Sequence, residues 1–315
     1  MLVTSKGKTE STQQLVNASI QVLIDALESG HSEVLASYLK AMARFHNYSF
    51  GNILLIATQK PNATHVAGIR SWNLLGRRVR RGEKGIMIFA PMLGRTRKES
   101  QQTDSKDAES TVSLVGFRPV YVWDVLQTEG KELPQLDSEV KGDVGSSLAR
   151  IVNFTIQQGI KFGYSDNIAP ARGMSYGGAI RILPNLSEAE QLSTLVHELA
   201  HEMLHKSERR TLTTKTVRET EAEAVAFVVC NALGLETGTA SSDYIQLYHG
   251  NATLLQESLE VVQRTSAVIL GAISPEVAEA IGNPASILDL GANVGLFGAF
   301  ALGRWRGSKI GRAHV

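Results

Sequence analysis

The sequence predicts an α+β chain in two parts: a mixed α/β domain over residues 1–134, then a mostly helical domain over residues 143–282, joined by a linker at 135–142. Three observations predict it. Residues 77–91 and 117–125 gather β-branched and apolar side chains in the manner of strands, with Gly82 and Gly85 as turn positions. Residues 187–206, 215–234 and 252–270 repeat apolar side chains at the 3.6-residue spacing of helices with one buried face. Charge is also uneven: residues 1–98 hold 14 Lys/Arg against 5 Asp/Glu, so within a net charge of +1 the remainder carries −8.

A chain of 315 residues is longer than one small core requires, hence the expectation of two domains. Hydrophobic content of 43% with 20% charge fits a soluble globular protein. Cys230 is the single cysteine, so no intramolecular disulfide can form, and a reducing cytoplasm is the expected location. No stretch approaches the roughly 20 apolar residues that span a bilayer. The N-terminus lacks the apolar core of a signal peptide, and no membrane partner is expected.

Taken in order, Leu15, Ile20, Leu23, Ile24 and Leu27 recur at helical spacing until Gly30 stops them. A second helix is expected over 32–46, and an apolar run from Ile53 to Ala57 closes at Pro61. The strands of 77–91 follow, then a polar stretch, 94–111, read as an exposed loop, then strand character again at 117–125. In the second domain a helix over 146–158 leads to Gly177-Gly178. This pair sits between Met174-Ser175-Tyr176 and Ile180-Arg181-Ile182 as the turn of a tight hairpin. The three long helices come next.

The motif His197-Glu198-Leu199-Ala200-His201 lies on the first of these. Histidines at i and i+4 stand one turn apart on one face, so both imidazoles can reach one ion. Zinc in hydrolases is usually held by three protein groups with a fourth position open. Glu198 is the residue placed to accept a proton from a water attacking a carbonyl. Leu192, Leu195, Val196, Leu199 and Met203 form the apolar stripe that makes the segment an amphipathic helix. For the third ligand the candidates are Glu219, Glu221 and Glu223. Val217, Ala224, Val225, Val228 and Ala232 mark the buried face of that helix, and Glu221 falls among them, whereas its two neighbours project to the polar side. A buried carboxylate without a partner costs several kcal/mol, and a cation offsets that cost, so Glu221 is the ligand expected. His205 lies about 12 Å along the axis from His197, too far for the same tetrahedral shell, and is expected beside the site or at the surface. No role is assigned to Tyr164, Tyr176, Tyr244, Tyr248 or His249.

In the first domain Arg70, Arg77, Arg78, Arg80, Arg81, Lys84, Arg95, Arg97 and Lys98 cluster with only Glu83 opposing them. Phe45, Tyr48, Phe50, Trp72 and Phe89 surround them in sequence. Cations that track phosphates plus aromatic platforms for bases suit single-stranded nucleic acid. Composition fits equally well a core of aromatics with a solvated charged rim.

Longer motifs carry a resemblance. Tyr48-Ser49-Phe50-Gly51-Asn52, Trp72-Asn73-Leu74-Leu75-Gly76-Arg77-Arg78-Val79, Gly82-Glu83-Lys84-Gly85-Ile86 and the run from Phe117 to Thr128 are similar to the single-stranded-DNA-binding module of ArdC-type antirestriction proteins, found on conjugative plasmids and other mobile elements. The same module occurs in plasmid primases. The resemblance implies DNA contacts at Tyr48, Phe50, Asn52, Trp72, Arg77, Arg78, Arg80, Arg81 and Lys84. The second domain resembles the zincin-like half of ArdC and, more distantly, the ImmA/IrrE metallopeptidases. Their glutamate ligand lies in a Glu-x-Glu-Ala pattern, matched by Glu221-Ala222-Glu223-Ala224; Val225 stands where distant relatives carry Asn, which removes a hydrogen bond to a metal ligand. The resemblance covers roughly residues 12–280.

Residues 283–308 differ in kind. The run Ile287-Leu288-Asp289-Leu290-Gly291-Ala292-Asn293-Val294-Gly295-Leu296-Phe297-Gly298 resembles the first strand and glycine turn of an FkbM-type methyltransferase. Such a turn works only within a complete doubly wound sheet, so no S-adenosylmethionine binding is expected. Residues 309–315 resemble a translated adapter, and the reading frame is expected to be a chimera joined near Gly282 to Ala285.

The function expected is that of a single-stranded-DNA-binding antirestriction protein with a Zn2+-dependent metallopeptidase domain, acting on a protein of the host restriction pathway. The alternative, from another class, is a DNA-binding shield or plasmid-primase-associated module whose zinc is structural and non-catalytic.

Overall fold

The structure, a computed structural model, describes residues 5–31, 33–96, 111–132, 144–206, 208–235 and 251–273. The expected linker at 135–142, the centre of the polar stretch, Tyr244, Tyr248, His249 and the fragments expected at 283–308 and 309–315 lie outside the described residues.

The first part begins with α1 (Ser5–Glu28), α2 (Glu33–Arg44) and α3 (Phe50–Gln59). The apolar run after Tyr48 is thus a helix, buried on nearly all sides from Phe50 to Ile56. Next come β1 (Val66–Ala67), α4 (Ile69–Leu74), β2 (Arg77–Val79), β3 (Ile86–Thr96), β4 (Thr111–Asp124) and β5 (Thr128–Gly130). β4 is the centre of an antiparallel sheet ordered β1-β4-β3, and β2 pairs with β5. The polar stretch read as a loop from 94 to 111 is corrected at both ends. Gly94, Arg95 and Thr96 pair with Ser113, Val112 and Thr111, so the ribbon continues through polar residues. Ladder hydrogen bonds belong to the backbone and form whether or not a face is apolar, which a hydrophobicity pattern cannot register.

The second part runs α5 (Val144–Gln157), β6 (Lys161–Tyr164), β7 (Gly173–Ser175), β8 (Ala179–Ile182), α6 (Glu188–Leu204), α7 (Glu208–Leu212), α8 (Lys215–Ala232) and α9 (Ala252–Ile273). The expected hairpin is present: β7 and β8 are antiparallel, and Gly177 and Gly178 turn with φ of +72° and +103°, a region costly for residues with a Cβ. β6 joins the far side of β8 in parallel, leaving β7 at the edge of this small sheet.

One hydrophobic cluster extends from Val16 on α1 to Ile273 on α9, so α2, α8 and α9 share a core. Gln263 on α9 reinforces the junction, donating to the carbonyls of His46 and Tyr48. No helix among the described residues is long and apolar enough to cross a membrane.

Candidate metal centre and nucleic-acid face

α6 starts at a capping box: the Ser187 hydroxyl accepts from the Glu190 N–H, while the Glu190 carboxylate accepts from the Ser187 N–H at 3.1 Å. From there Leu192, Leu195, Val196 and Leu199 are fully buried. Burying that stripe fixes the helix's rotation and turns His197, Glu198 and His201 toward a cleft of about 850 Å³ under the β7–β8 hairpin. Glu202 fastens the hairpin from the next turn. Its two carboxylate oxygens accept the N–H groups of Gly177 and Gly178 at 2.7 and 2.8 Å.

Gly173 on β7 shows how closely the strand approaches. A Cβ there would lie 2.5 Å from Thr194 Cγ2 and 2.9 Å from Glu198 Cγ. Glycine at this position lets Ser175 hydrogen-bond the Glu198 carboxylate through both its N–H and its hydroxyl. Burial nevertheless raises the pKa of Glu198 above the usual carboxylate range, against the opposing pull of His197.

The two Nε2 atoms of His197 and His201 are 3.1 Å apart, and Glu219 Oε2 lies 3.5 Å from the first and 3.4 Å from the second. Ligands bonded at ~2.0–2.1 Å around a tetrahedral zinc stand about 3.3 Å apart, so these three atoms have the spacing of one face of that shell. Two nitrogens and a carboxylate oxygen also suit zinc's preference in donors. Without a cation the cluster polarises. Burial disfavours a charged His197, but hydrogen bonds to Glu219 and Glu223 outweigh it and push its pKa up to about 9. Burial and then the charge of His197 hold His201 down to about 4. The hydrogen bond from His197 takes Glu219 to about 2.

Expectation and structure part at the third acid. Glu221 is fully buried, as its place on the apolar face implied, but it is not with His197 and His201. Its oxygens are taken by Arg209, His205 and Ser258, with His205 Nε2 at 3.0 Å and Ser258 Oγ at 2.6 Å. Glu219 converges on the histidine pair instead. A metal is one of the few partners that compensate a buried carboxylate, and here another of them, Arg209 on α7, does so. Glu223, also set aside, meets His197 Nδ1 at 3.2 Å. A signal for this grouping was present in the sequence, since Glu219 and Glu223 stand four apart just as His197 and His201 do, and can face them as a matching pair. His205 is buried, its Nδ1 2.8 Å from that of His201.

The first part of the chain brings another correction. Tyr48, Phe50, Asn52 and Trp72, expected to contact nucleic acid, are all interior. The Trp72 indole, 2% exposed, donates to the Trp123 carbonyl, Tyr48 donates to the Val66 carbonyl, and Asn52 bonds both backbone groups of Phe89. Buried rings cannot stack on bases; these residues hold α3 and α4 to the sheet. Arg77 is half-buried against Thr128 and the Lys131 carbonyl. Arg78, Arg80, Arg81 and Lys84 remain at the surface, Arg80 leaning on Glu83. The exposed ring nearby is Tyr121 on β4, 54% exposed, whose Cβ would touch a side chain placed at Gly85.

Fold and site together define a class: a mixed α/β part with exposed cations, followed by a mostly helical part in which an HExxH helix meets the acids of α8. Residues 8–123 match the N-terminal domain of anti-restriction factor ArdC, and residues 157–263 match the IrrE N-terminal-like domain. These matches support an ArdC-type protein. An uncharacterized protein of Bacillus anthracis is 23% identical over 88% of this chain, which spans 54%, about half, of that relative's length. Among solved structures, the metal-free antirestriction ArdC protein from the R388 plasmid is similar with a TM-score of 0.48 and 17% identity, over 84% of this chain and 98% of that one. Its Mn(II)-bound form is similar with a TM-score of 0.41 and 19% identity, over 75% and 98%.

Proposed function

We propose that this chain is an antirestriction protein whose first domain binds single-stranded DNA and whose second domain is a zinc-dependent peptidase acting on a protein of the host restriction pathway. The observation that supports the enzyme reading is the tetrahedral-face spacing of His197 Nε2, His201 Nε2 and Glu219 Oε2 beside a carboxylate, Glu198, that is not among the three. Zinc held there would polarise a carbonyl and ease ionisation of water. Glu198 takes the proton; its raised pKa brings a carboxylate closer to the neutral pH at which a general base works best. The hairpin held by Glu202 walls the cleft and keeps Ser175 against Glu198.

For the DNA-binding domain the support is the exposed set Arg78, Arg80, Arg81 and Lys84 with Tyr121 as a stacking surface. The experiment compares protection of incoming DNA by wild type and Glu198→Gln, with zinc content measured on both. Loss of protection with zinc retained is expected. Full protection by a zinc-loaded variant would overturn the peptidase reading in favour of a DNA-binding shield.

A further inference from the structure

A buried hydrogen-bond chain runs behind His201, and its geometry suits one arrangement of protons to metal binding. Arg209 carries donors alone, and it meets both oxygens of Glu221, whose Oε1 also accepts from Ser258 Oγ at 2.6 Å. Glu221 is therefore an ionised acceptor with its charge balanced by Arg209. His205 Nε2, 3.0 Å from Glu221 Oε2, must donate. With Nε2 donating to Glu221, the other ring nitrogen of His205, Nδ1, faces His201. One proton serves the 2.8 Å contact between the two Nδ1 atoms, and binding of a cation through His201 Nε2 requires that proton on His201 Nδ1, with His205 Nδ1 accepting it. This leaves a lone pair on His201 Nε2, the atom 3.1 Å from His197 Nε2 and 3.4 Å from Glu219. The side chains of His205 and Glu221 are 1% and 0% exposed, so water does not compete for these bonds.

We propose that His205, backed by Glu221, Arg209 and Ser258, is a positioning residue that locks His201 in the tautomer and orientation needed to bind a divalent cation through Nε2. The assignment rests on the metal-site reading above and extends it. Hydrogen-bond partners of ligating histidines typically change metal affinity 10–100-fold. The relay also accounts for Glu221, whose burial on α8 would otherwise have no bearing on the cleft. His197 is served more directly, by Glu223 at its own Nδ1.

The test is Zn2+ affinity by competition with a chromophoric chelator, on the full chain, for wild type, His205→Ala, His205→Gln and Glu219→Gln, with melting temperatures of the metal-free proteins recorded in parallel. Expected are a 10–100-fold loss for His205→Ala and partial recovery for His205→Gln, whose amide can both accept and donate. In the nitrogen NMR spectrum of metal-free wild type, His201 should report a protonated Nδ1. Wild-type affinity in His205→Ala, or equal losses in both His205 variants at unequal stability, would overturn the relay while leaving the metal site standing. Failure of wild type itself to bind Zn2+ would overturn the metal-site reading, and the relay with it.

Discussion

Arg209 grips Glu221 from two directions, its Nε 3.1 Å from Oε2 and its Nη2 on Oε1, while two residues earlier on the same helix Glu219 faces a pair of histidines. A helix turns through about 200° in two residues, so α8 presents its two acids to opposite sides. The two are expected to fail differently. Glu221→Gln breaks a buried ion pair and should cost about 3–5 kcal/mol of stability in chemical denaturation. Glu219→Gln, at a half-exposed position, should leave stability nearly unchanged while reducing zinc affinity by more than the roughly 100-fold that loss of a mere partner causes. The reverse pattern would restore Glu221 as the ligand.

Gly173→Ala tests the contact between β7 and α6. The added methyl would meet Thr194 and Glu198, neither able to withdraw without shifting α6 or β7. Overpacking of this kind costs about 1–3 kcal/mol. On the proposed peptidase reading, activity should fall more than zinc affinity, because the displaced group is Glu198; equal losses of both would place the effect on the helix as a whole.

Stability against acid is expected to depend on His46. Burial lowers its pKa below 6.5, outweighing its hydrogen bond to the Ala43 carbonyl. The unfolded chain therefore gains a proton near pH 6.5 before the native state does, and the stability that a neutral His46 contributes above that pH is lost as pH falls toward the depressed value. One proton corresponds to about 1.4 kcal/mol per pH unit. Denaturation of wild type and His46→Gln between pH 7.5 and 5 should show a shallower decline in the variant, and parallel curves would rule this source out.

On the basic face the surface cations and the interior aromatics should separate cleanly. Replacing Arg78, Arg81 and Lys84 by Glu should weaken binding of a single-stranded oligonucleotide and reduce its salt dependence, with little change in melting temperature. Trp72→Ala should instead cost about 3–5 kcal/mol of stability, since the indole fills the core and bonds Trp123. Strong oligonucleotide binding by the charge-reversed protein would remove the cationic-face model.

The sequence by itself determined whatever depends on neighbours along the chain. The stripe through Leu192, Leu195 and Leu199 orients α6 and so places His197 and His201 together, and Gly177-Gly178 specifies the hairpin turn, because both follow from local periodicity and backbone geometry. Burial of Glu221 was legible on the same ground. What compensates it was not, since Arg209, His205 and Ser258 come from α7, the end of α6 and α9. Nor could composition decide whether Trp72 and Phe50 were platforms or core, because an aromatic side chain is equally at home in either setting. Only packing between distant elements fixed the partner of each buried charge and the face each ring presents; such contacts depend on distances in space that spacing along the chain does not encode.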